Sequence, residues 1–286
     1  MRIVFPVFGL ALFLAAANGQ PPPRYGVGIT ILGSNGSCKD APVFIGGVTE
    51  KSPAASAGLE PGDRLIAING VRVSNFQDAA RRTSSPVPGP VTLTVRRGDE
   101  AKTVSVPREK LDVIWSRIGL TMLDNGMLVG TGYTDAEIAE LRRLPQELDQ
   151  ARKAGDFVNI FPGHYPADKR LYYPGFELFV WDHGQQVRVG GIENGPAKNA
   201  GVRWGDRVVS VDGQDPGDKS VSQLESLFSS RNPATMRLVI NRAGRKISFT
   251  FSLARAADVL KANHWKIANG QMVPDWLPAD LISCFD

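Results

Sequence analysis

One stretch of this 286-residue chain occurs twice. Residues 52–70 read SPAASAGLEPGDRLIAING, and residues 195–213 read GPAKNAGVRWGDRVVSVDG, aligned without a gap at an offset of 143. Eight pairs are identical: Pro53/Pro196, Ala54/Ala197, Ala57/Ala200, Gly58/Gly201, Gly62/Gly205, Asp63/Asp206, Arg64/Arg207 and Gly70/Gly213. Leu65, Ile66 and Ile68 face Val208, Val209 and Val211, so the apolar pattern repeats as well. Repetition on this scale predicts two copies of one folding unit, because the same local rules act twice.

Those rules are readable residue by residue. Pro53 and Pro196 each open a short helix, where the missing N–H costs nothing. Gly58 and Gly201 stand where that helix must stop. Gly62-Asp63 and Gly205-Asp206 turn the chain into a buried strand, and Asn69-Gly70 and Asp212-Gly213 are tight-turn dipeptides. A β-like run ending in Gly-Gly precedes each copy, at residues 43–48 and 187–192. A short helical stretch follows each, and then a hairpin: residues 91–95 with 102–106 around Gly98, and 236–240 with 246–251 around Gly244. Their alternation of apolar and polar side chains predicts half-buried strands.

The repeated stretch resembles the central signature of PDZ domains, of the kind appended to bacterial exported proteases, with Trp204 where that signature usually has Pro. The resemblance covers residues 24–108 and 173–254. It implies an α+β fold with mainly β content: two PDZ-like, partly open β-barrels, each with short helices, plus a helical and hairpin connecting segment. It also implies a site. A carboxylate-binding loop precedes a strand, and a peptide C-terminus adds as a further strand between that strand and a helix. Glycines let the loop backbone approach the carboxylate closely. In the first copy the loop is Gly26-Val27-Gly28-Ile29, Ile31 lies on the following strand, and Arg24 stands just upstream. The facing helix begins near Asn75 and carries Phe76 and Ala79. In the second copy the loop is Tyr173-Pro174-Gly175-Phe176 and Leu178 lies on the strand. Pro174 has no N–H, so one expected donor is missing, and Lys169 and Arg170 are the nearby cations. The second helix is expected to start at residues 220–222, with Val221, Leu224, Leu227 and Phe228 in the core. Glycines that merely turn the chain, in domains that bind nothing, are the alternative for both copies. On the binding reading, Gly28→Val weakens peptide binding and leaves folding intact.

Residues 111–172 are more than a linker. Residues 117–121 resemble another carboxylate loop, but no Ser-Pro-Ala or Gly-Asp signature follows, so a third copy is not counted. Asp124-Asn125-Gly126 reads as a hairpin turn. Thr134 and Glu137 form a capping box, and Ile138, Leu141, Leu144, Leu148 and Ala151 make one helical stripe ending at Gly155. Pro145 is expected to break or kink that helix. The stripe packs on one of the domains, or else serves as a dimer contact. The tail, 256–286, carries Trp265, Trp276 and Phe285 as anchors. Its last residues, 282–286, are a candidate self-ligand, poorly matched by the terminal Asp286.

The first residues read as an address. A weakly basic start at Met1 and Arg2 precedes an apolar run over 3–17, then small residues up to Gly19. This is the pattern of a secretory signal peptide, cut after Gly19 or after Ala17. The run falls short of the ~20 residues of a membrane-spanning helix, and an uncleaved anchor is the alternative. The expected organisation is a signal peptide at 1–19, a Pro-rich leader at 20–23, PDZ domains at 24–108 and 173–255, a connecting segment at 109–172 and a tail at 256–286. An extracytoplasmic location, periplasmic or secreted, permits disulfides. Cys38 and Cys284 are the only two cysteines. They could pair and fasten the tail to the first domain, or both could be buried thiols. Two cysteines exclude a disulfide-dense scaffold and a Cys-based zinc site.

Lys and Arg number 33 against 29 Asp and Glu, a net +4 too small and scattered to point to nucleic acid. His164, His183 and His264 are the three histidines, and the sequence contains neither Gly-x-Ser-x-Gly nor His-Glu-x-x-His. The expectation is no enzyme, no catalytic residue, no metal and no cofactor. The leading reading is an exported, non-catalytic module that binds protein C-termini or extended peptides, as a scaffold or as a factor delivering substrates to proteolysis. A packing module in an envelope assembly, with grooves blocked by the middle segment or the tail, is the alternative. An unrecognised protease ranks behind both.

Overall fold

The computed structural model describes residues 25–34, 41–123, 128–130, 132–160, 171–268 and 271–285. The signal-peptide reading and the positions of Arg24, Cys38, His164, Lys169 and Arg170 lie outside them. The chain divides into two compact units, one of residues 1–133 with 276–286, the other of residues 134–275. The tail is thus shared between them, with 256–275 in the second unit and the remainder in the first.

The first unit is an open, mainly antiparallel sheet with short helices. Its elements are β1 (Tyr25–Gly26), β2 (Ile29–Leu32), β3 (Phe44–Val48), α1 (Pro53–Ser56), β4 (Arg64–Ile68), β5 (Val71–Arg72), α2 (Phe76–Thr83), β6 (Gly89–Arg97) and β7 (Glu100–Lys110). The sheet order is β1-β7-β6-β4-β3-β2, with β5 on β4. Local chemistry accounts for the helices. Ser52 caps α1 by accepting from Ala55 N, and Pro53 occupies its first turn. Asn75 caps α2 by accepting from Asp78 N. The core gathers Ile45, Ile68, Leu93 and Val106, all fully buried, under Ala54 and Ala79. Burial of each large side chain contributes about 1.5–3 kcal/mol. After β7 the chain adds α3 (Leu111–Ser116) and a small hairpin, β8 (Leu120–Met122) with β9 (Leu128–Gly130). The tail returns as a 3-10 helix over Ala279–Phe285. The Trp276 ring packs at a tilt against Phe44 with ring centres 5.6 Å apart, and Cys284 is disulfide-bonded.

The second unit opens with α4 (Asp135–Ala154) and β10 (Val158–Ile160). It continues through β11 (Tyr172–Tyr173), β12 (Phe176–Trp181), β13 (Gln186–Ile192), α5 (Pro196–Ala200), β14 (Arg207–Val211), α6 (Val221–Phe228), β15 (Thr235–Arg242), β16 (Arg245–Ser252) and β17 (Ala254–Arg255). The order of its main sheet is β10-β12-β13-β14-β15-β16, and β11 pairs with β17. Ser220 and Gln223 form a capping box on α6, whose Leu224 and Phe228 are buried in the core with Phe176, Leu178 and Leu238. The unit closes with α7 (Ala256–Ala262) and the hairpin β18 (Trp265–Ala268) with β19 (Gln271–Pro274). Helix plus hairpin therefore follows the sheet in both units, and the repeat extends beyond the matching sequence.

α4 has the expected capping box at Thr134 and Glu137, and it ends at Gly155 in the left-handed conformation. It is not broken: Pro145 lies inside a 20-residue helix. A proline there frees the carbonyl of Leu141, but Leu141, Leu144 and Leu148 are buried on both sides of it. Glu140 adds a salt bridge to Arg188 at 2.6 Å and accepts from Ala243 N at 3.0 Å. Packing along one face outweighs one lost backbone bond.

Candidate functional site

The two expected loops are built alike. In the first unit Ala54 N donates to Val27 O at 2.9 Å, and Thr49 N donates to Gly28 O at 2.8 Å. In the second, Ala197 N donates to Pro174 O at 3.0 Å, and Glu193 N donates to Gly175 O at 2.9 Å. A peptide group is planar and trans, so fixing its carbonyl fixes the N–H on the opposite side. Two N–H groups in each loop, of Gly28 and Ile29 and of Gly175 and Phe176, are thereby aimed away from these clamps. Pro174 corresponds to Val27, whose N–H belongs to neither clamped plane. The proline therefore does not disturb the two planes that the geometry fixes.

Gly28 and Gly175 both have positive φ, +82° and +84°. At Gly28 a Cβ would also overlap the Ser52 side chain, which is fully buried. Gly28→Val thus strains the backbone and drives into a packed neighbour, so it tests folding rather than binding. The appended helices support the loops from behind. Leu111 Cδ2 lies 2.7 Å from where a Gly26 Cβ would be, and Ile114 flanks Gly28. In the second unit Val259 of α7 flanks Gly175 at 3.7 Å on the same construction.

The remaining predicted residues separate into lining and core. Gly26 pairs with Glu109 on β7. Val27 and Ile31 are buried in the core, with Ile29 and Phe76 half-buried against it. Phe76 opens α2 and packs across Gly33 at the end of β2. Ala79 is fully buried and serves packing. β2 is an end strand, and among the described residues no strand covers its outer edge. An unpaired edge beside a helix is a template for an added strand.

In the second unit Tyr173, Phe176 and Leu178 are all fully buried. Tyr173 sits under α7 with Ala256 and Val259, and its hydroxyl donates to the Glu193 carboxylate. The outer edge of β12, the counterpart of the open edge of β2, is paired with β10. Residues 157–160 were not singled out from sequence, although Phe157, Val158 and Ile160 are β-favouring residues just after the Gly155 helix stop. The Gly-Gly pair on β13 makes room beside β12: a Cβ on Gly190 would stand 2.7 Å from the Phe179 ring.

The signature aspartates each have one structural job. Asp63 accepts from Arg97 Nε and Nη2 at 2.7 and 2.9 Å and from Glu60 N at 2.9 Å. Asp206 accepts from Arg242 Nε and Nη2 at 2.7 Å each and from Arg203 N at 2.8 Å. Arg97 Nη2 then reaches Gly58 O and Arg242 Nη2 reaches Gly201 O, both at 2.9 Å. Each lock ties the turn after the short helix to the end of the long hairpin. The hydrogen bond to Asp63 raises the pKa of Arg97 further above its already high range. Both arginines lie beyond the repeated stretches 52–70 and 195–213.

Among the described residues no group of three His, Cys, Asp or Glu side chains could hold a metal. His183 and His264 are exposed turn residues at positive φ. No helix of the described residues is long and apolar enough to cross a membrane.

A family model for the PDZ domain matches residues 44–97 and again 187–242. A candidate zinc metalloprotease of Agrobacterium fabrum is 45% identical over 135 residues, covering 43% of this chain and 35% of that protein. A DegP-like protein of Bartonella henselae, named as a candidate periplasmic serine endoprotease, is 38% identical over 179 residues, 62% of this chain and 27% of its own length. The chain spans about a third of the first of these relatives and less of the second. Among solved structures, the HtrA3 PDZ domain bound to a phage-derived ligand is 22% identical with a TM-score of 0.27, covering 30% of this chain and 86% of that one. The HtrA-type protease AlgW with a decapeptide is 18% identical with a TM-score of 0.28, covering 35% of this chain and 34% of that one. The family match falls once in each compact unit, on the strands that carry the repeated aspartate–arginine lock: this chain carries two PDZ domains.

Proposed function

We propose that this chain is an exported, non-catalytic peptide-binding protein whose first PDZ domain captures C-termini or extended segments of other extracytoplasmic proteins. It serves as a scaffold or delivers bound proteins to a separate protease. The observation that carries the reading is the outer edge of β2, unpaired among the described residues, lying beside α2 and following a loop whose two clamped carbonyls leave the N–H groups of Gly28 and Ile29 pointing away. Such an edge offers a main-chain ladder to an extended peptide, and the loop offers donors to a terminal carboxylate. Relatives named for zinc and for serine chemistry both match this chain. A module common to two unlike catalytic chemistries is more naturally a recognition element than a catalytic one. The periplasmic name of one relative and the apolar N-terminal run both favour a place outside the cytoplasm.

Fluorescence polarisation with two random-peptide pools tests the reading, one pool with free C-terminal carboxylates and the other amidated. Preferential binding of the free-carboxylate pool, weakened by Phe76→Ala, is expected. Equal binding of the pools indicates capture of internal segments, and absence of binding to either rejects the reading. The blocked-groove alternative has an observation in its favour in the second domain alone, where β10 lies on the corresponding edge.

A further inference from the structure

The edge left open in the first domain is closed in the second by the chain itself. β10 runs antiparallel to β12, with Val158 opposite Val180, Asn159 opposite Phe179 and Ile160 opposite Leu178. This is how a peptide strand adds to a sheet edge. Ile160 is buried in one cluster with Phe176 and Leu178 of the strand and Leu224 and Phe228 of α6. On the opposite face Asn159 Nδ2 donates to Glu177 Oε2 at 3.1 Å. The Phe157 ring lies 5.5 Å from that of Phe179, with the Arg152 guanidinium 4.6 Å from its centre. The fit is incomplete: Asn159 Oδ1 is buried without a partner among the described residues. An unmade bond of that kind weakens a contact that is otherwise well packed.

Resting on the peptide-binding reading above, we propose that Phe157–Ile160 is a built-in ligand of the second PDZ domain. The groove beneath it accepts other extended segments of the same chemistry. Such a segment has an aliphatic side chain for the pocket beside Leu224 and Phe228. An amide side chain one residue earlier meets Glu177, and an aromatic ring two residues before that stacks on Phe179. The chain therefore presents one open groove and one latched groove. α4 leads directly into the latch and is itself fastened to this domain through Glu140 and Arg188, so the ligand is held close. A short tether acts as a local concentration of about 1 mM, so a latch with an intrinsic dissociation constant of about 50 μM weakens the apparent binding of an equivalent external segment about twentyfold.

The test uses the full chain and a labelled peptide covering residues 156–161, acetylated and amidated so that it carries no terminal charge. Ile160→Ser is expected to bind this peptide about twentyfold more tightly than the unaltered chain. A free-carboxylate peptide in the same samples reports the first groove separately, so failure of one reading is distinguishable from failure of the other. Equal binding of the blocked peptide to both chains overturns the proposal, as does no binding to a variant that still unfolds cooperatively. Should Ile160→Ser fail to fold, Phe157→Ala with Asn159→Ala removes only the outer-face contacts. That pair is expected to speed amide exchange across residues 176–181 by about tenfold, as a released strand edge opens. Unchanged exchange overturns the proposal.

Discussion

Asp206→Ala strips Arg242 of the carboxylate it grips at 2.7 Å through two nitrogens. The Arg242 side chain is only 11% exposed, so the cation left behind is poorly solvated. Removing one partner of a buried pair costs about 3–5 kcal/mol for this reason. Asp63→Ala removes the same set of hydrogen bonds in the first domain, but Arg97 is 47% exposed and also holds Glu60 at 2.6 Å. Its charge stays in water, and the cost falls to about 1–3 kcal/mol, that of hydrogen-bonding groups left unmatched. Urea unfolding, followed by hydrogen exchange on peptides from each unit, reads the two domains separately. With a denaturant slope of about 2 kcal/mol per molar, the midpoint falls by about 2 M for Asp206→Ala and about 1 M for Asp63→Ala. Adding Arg242→Met to Asp206→Ala is expected to recover much of the loss, because no poorly solvated cation then stays behind with only the electrostatic attraction of Glu137 to offset it. Equal shifts in the two domains, or no recovery in the double variant, would refute the argument from poor solvation of Arg242.

Three further outcomes follow from particular contacts. Burial and the neighbouring Glu193 carboxylate hold the Tyr173 phenol far above its usual range. An unfolded tyrosine ionises near pH 10, so this contribution to stability is intact below about pH 10 and is lost as pH rises beyond it. Tyr173→Phe should flatten the alkaline decline of second-domain stability, and an unchanged slope from about pH 9 to 11 speaks against it. Thr134→Ala removes the N-cap of α4 and should cost about 1 kcal/mol, with faster amide exchange confined to the first turn of that helix. Gly28→Ala and Gly70→Ala impose similar backbone strain, at φ +82° and +76°, but only the first meets a packed neighbour. Gly70→Ala should cost about 1–2 kcal/mol and Gly28→Ala distinctly more; similar melting temperatures for both variants would remove the steric account.

How legible each feature was depends on the range of the interaction that creates it. Ser52, Asn75, Thr134 and Ser220 act within one helical turn, so the helix starts they set are readable from a few neighbouring residues. Gly155 and Gly201 end their helices at positive φ for the same local reason. The long hairpins around Gly98 and Gly244 follow from alternation, though both strands run further than that pattern indicated. Pro145 does not end the helix because a local rule meets a nonlocal force, the packing of leucines on both sides of it. The tail, a candidate self-ligand from sequence, forms a 3-10 helix over residues 279–285 rather than an extended strand. The segment that does lie along a groove edge is in the middle of the chain, at 158–160.

The sequence alone determined that one unit is built twice, where its turns and helix ends fall, and that its signature aspartates sit in turns. These properties depend on residues close together in the chain, whose conformations are limited by sterics and short hydrogen bonds. Only the tertiary structure decided which arginine each aspartate holds, 34 or 36 residues away, and which helix braces each loop. It also decided that, among the described residues, one strand edge is unpaired while the other is covered. Pairing of a strand edge depends on backbone groups that every residue carries, so side-chain pattern marks a segment as a strand without saying which edge it will join.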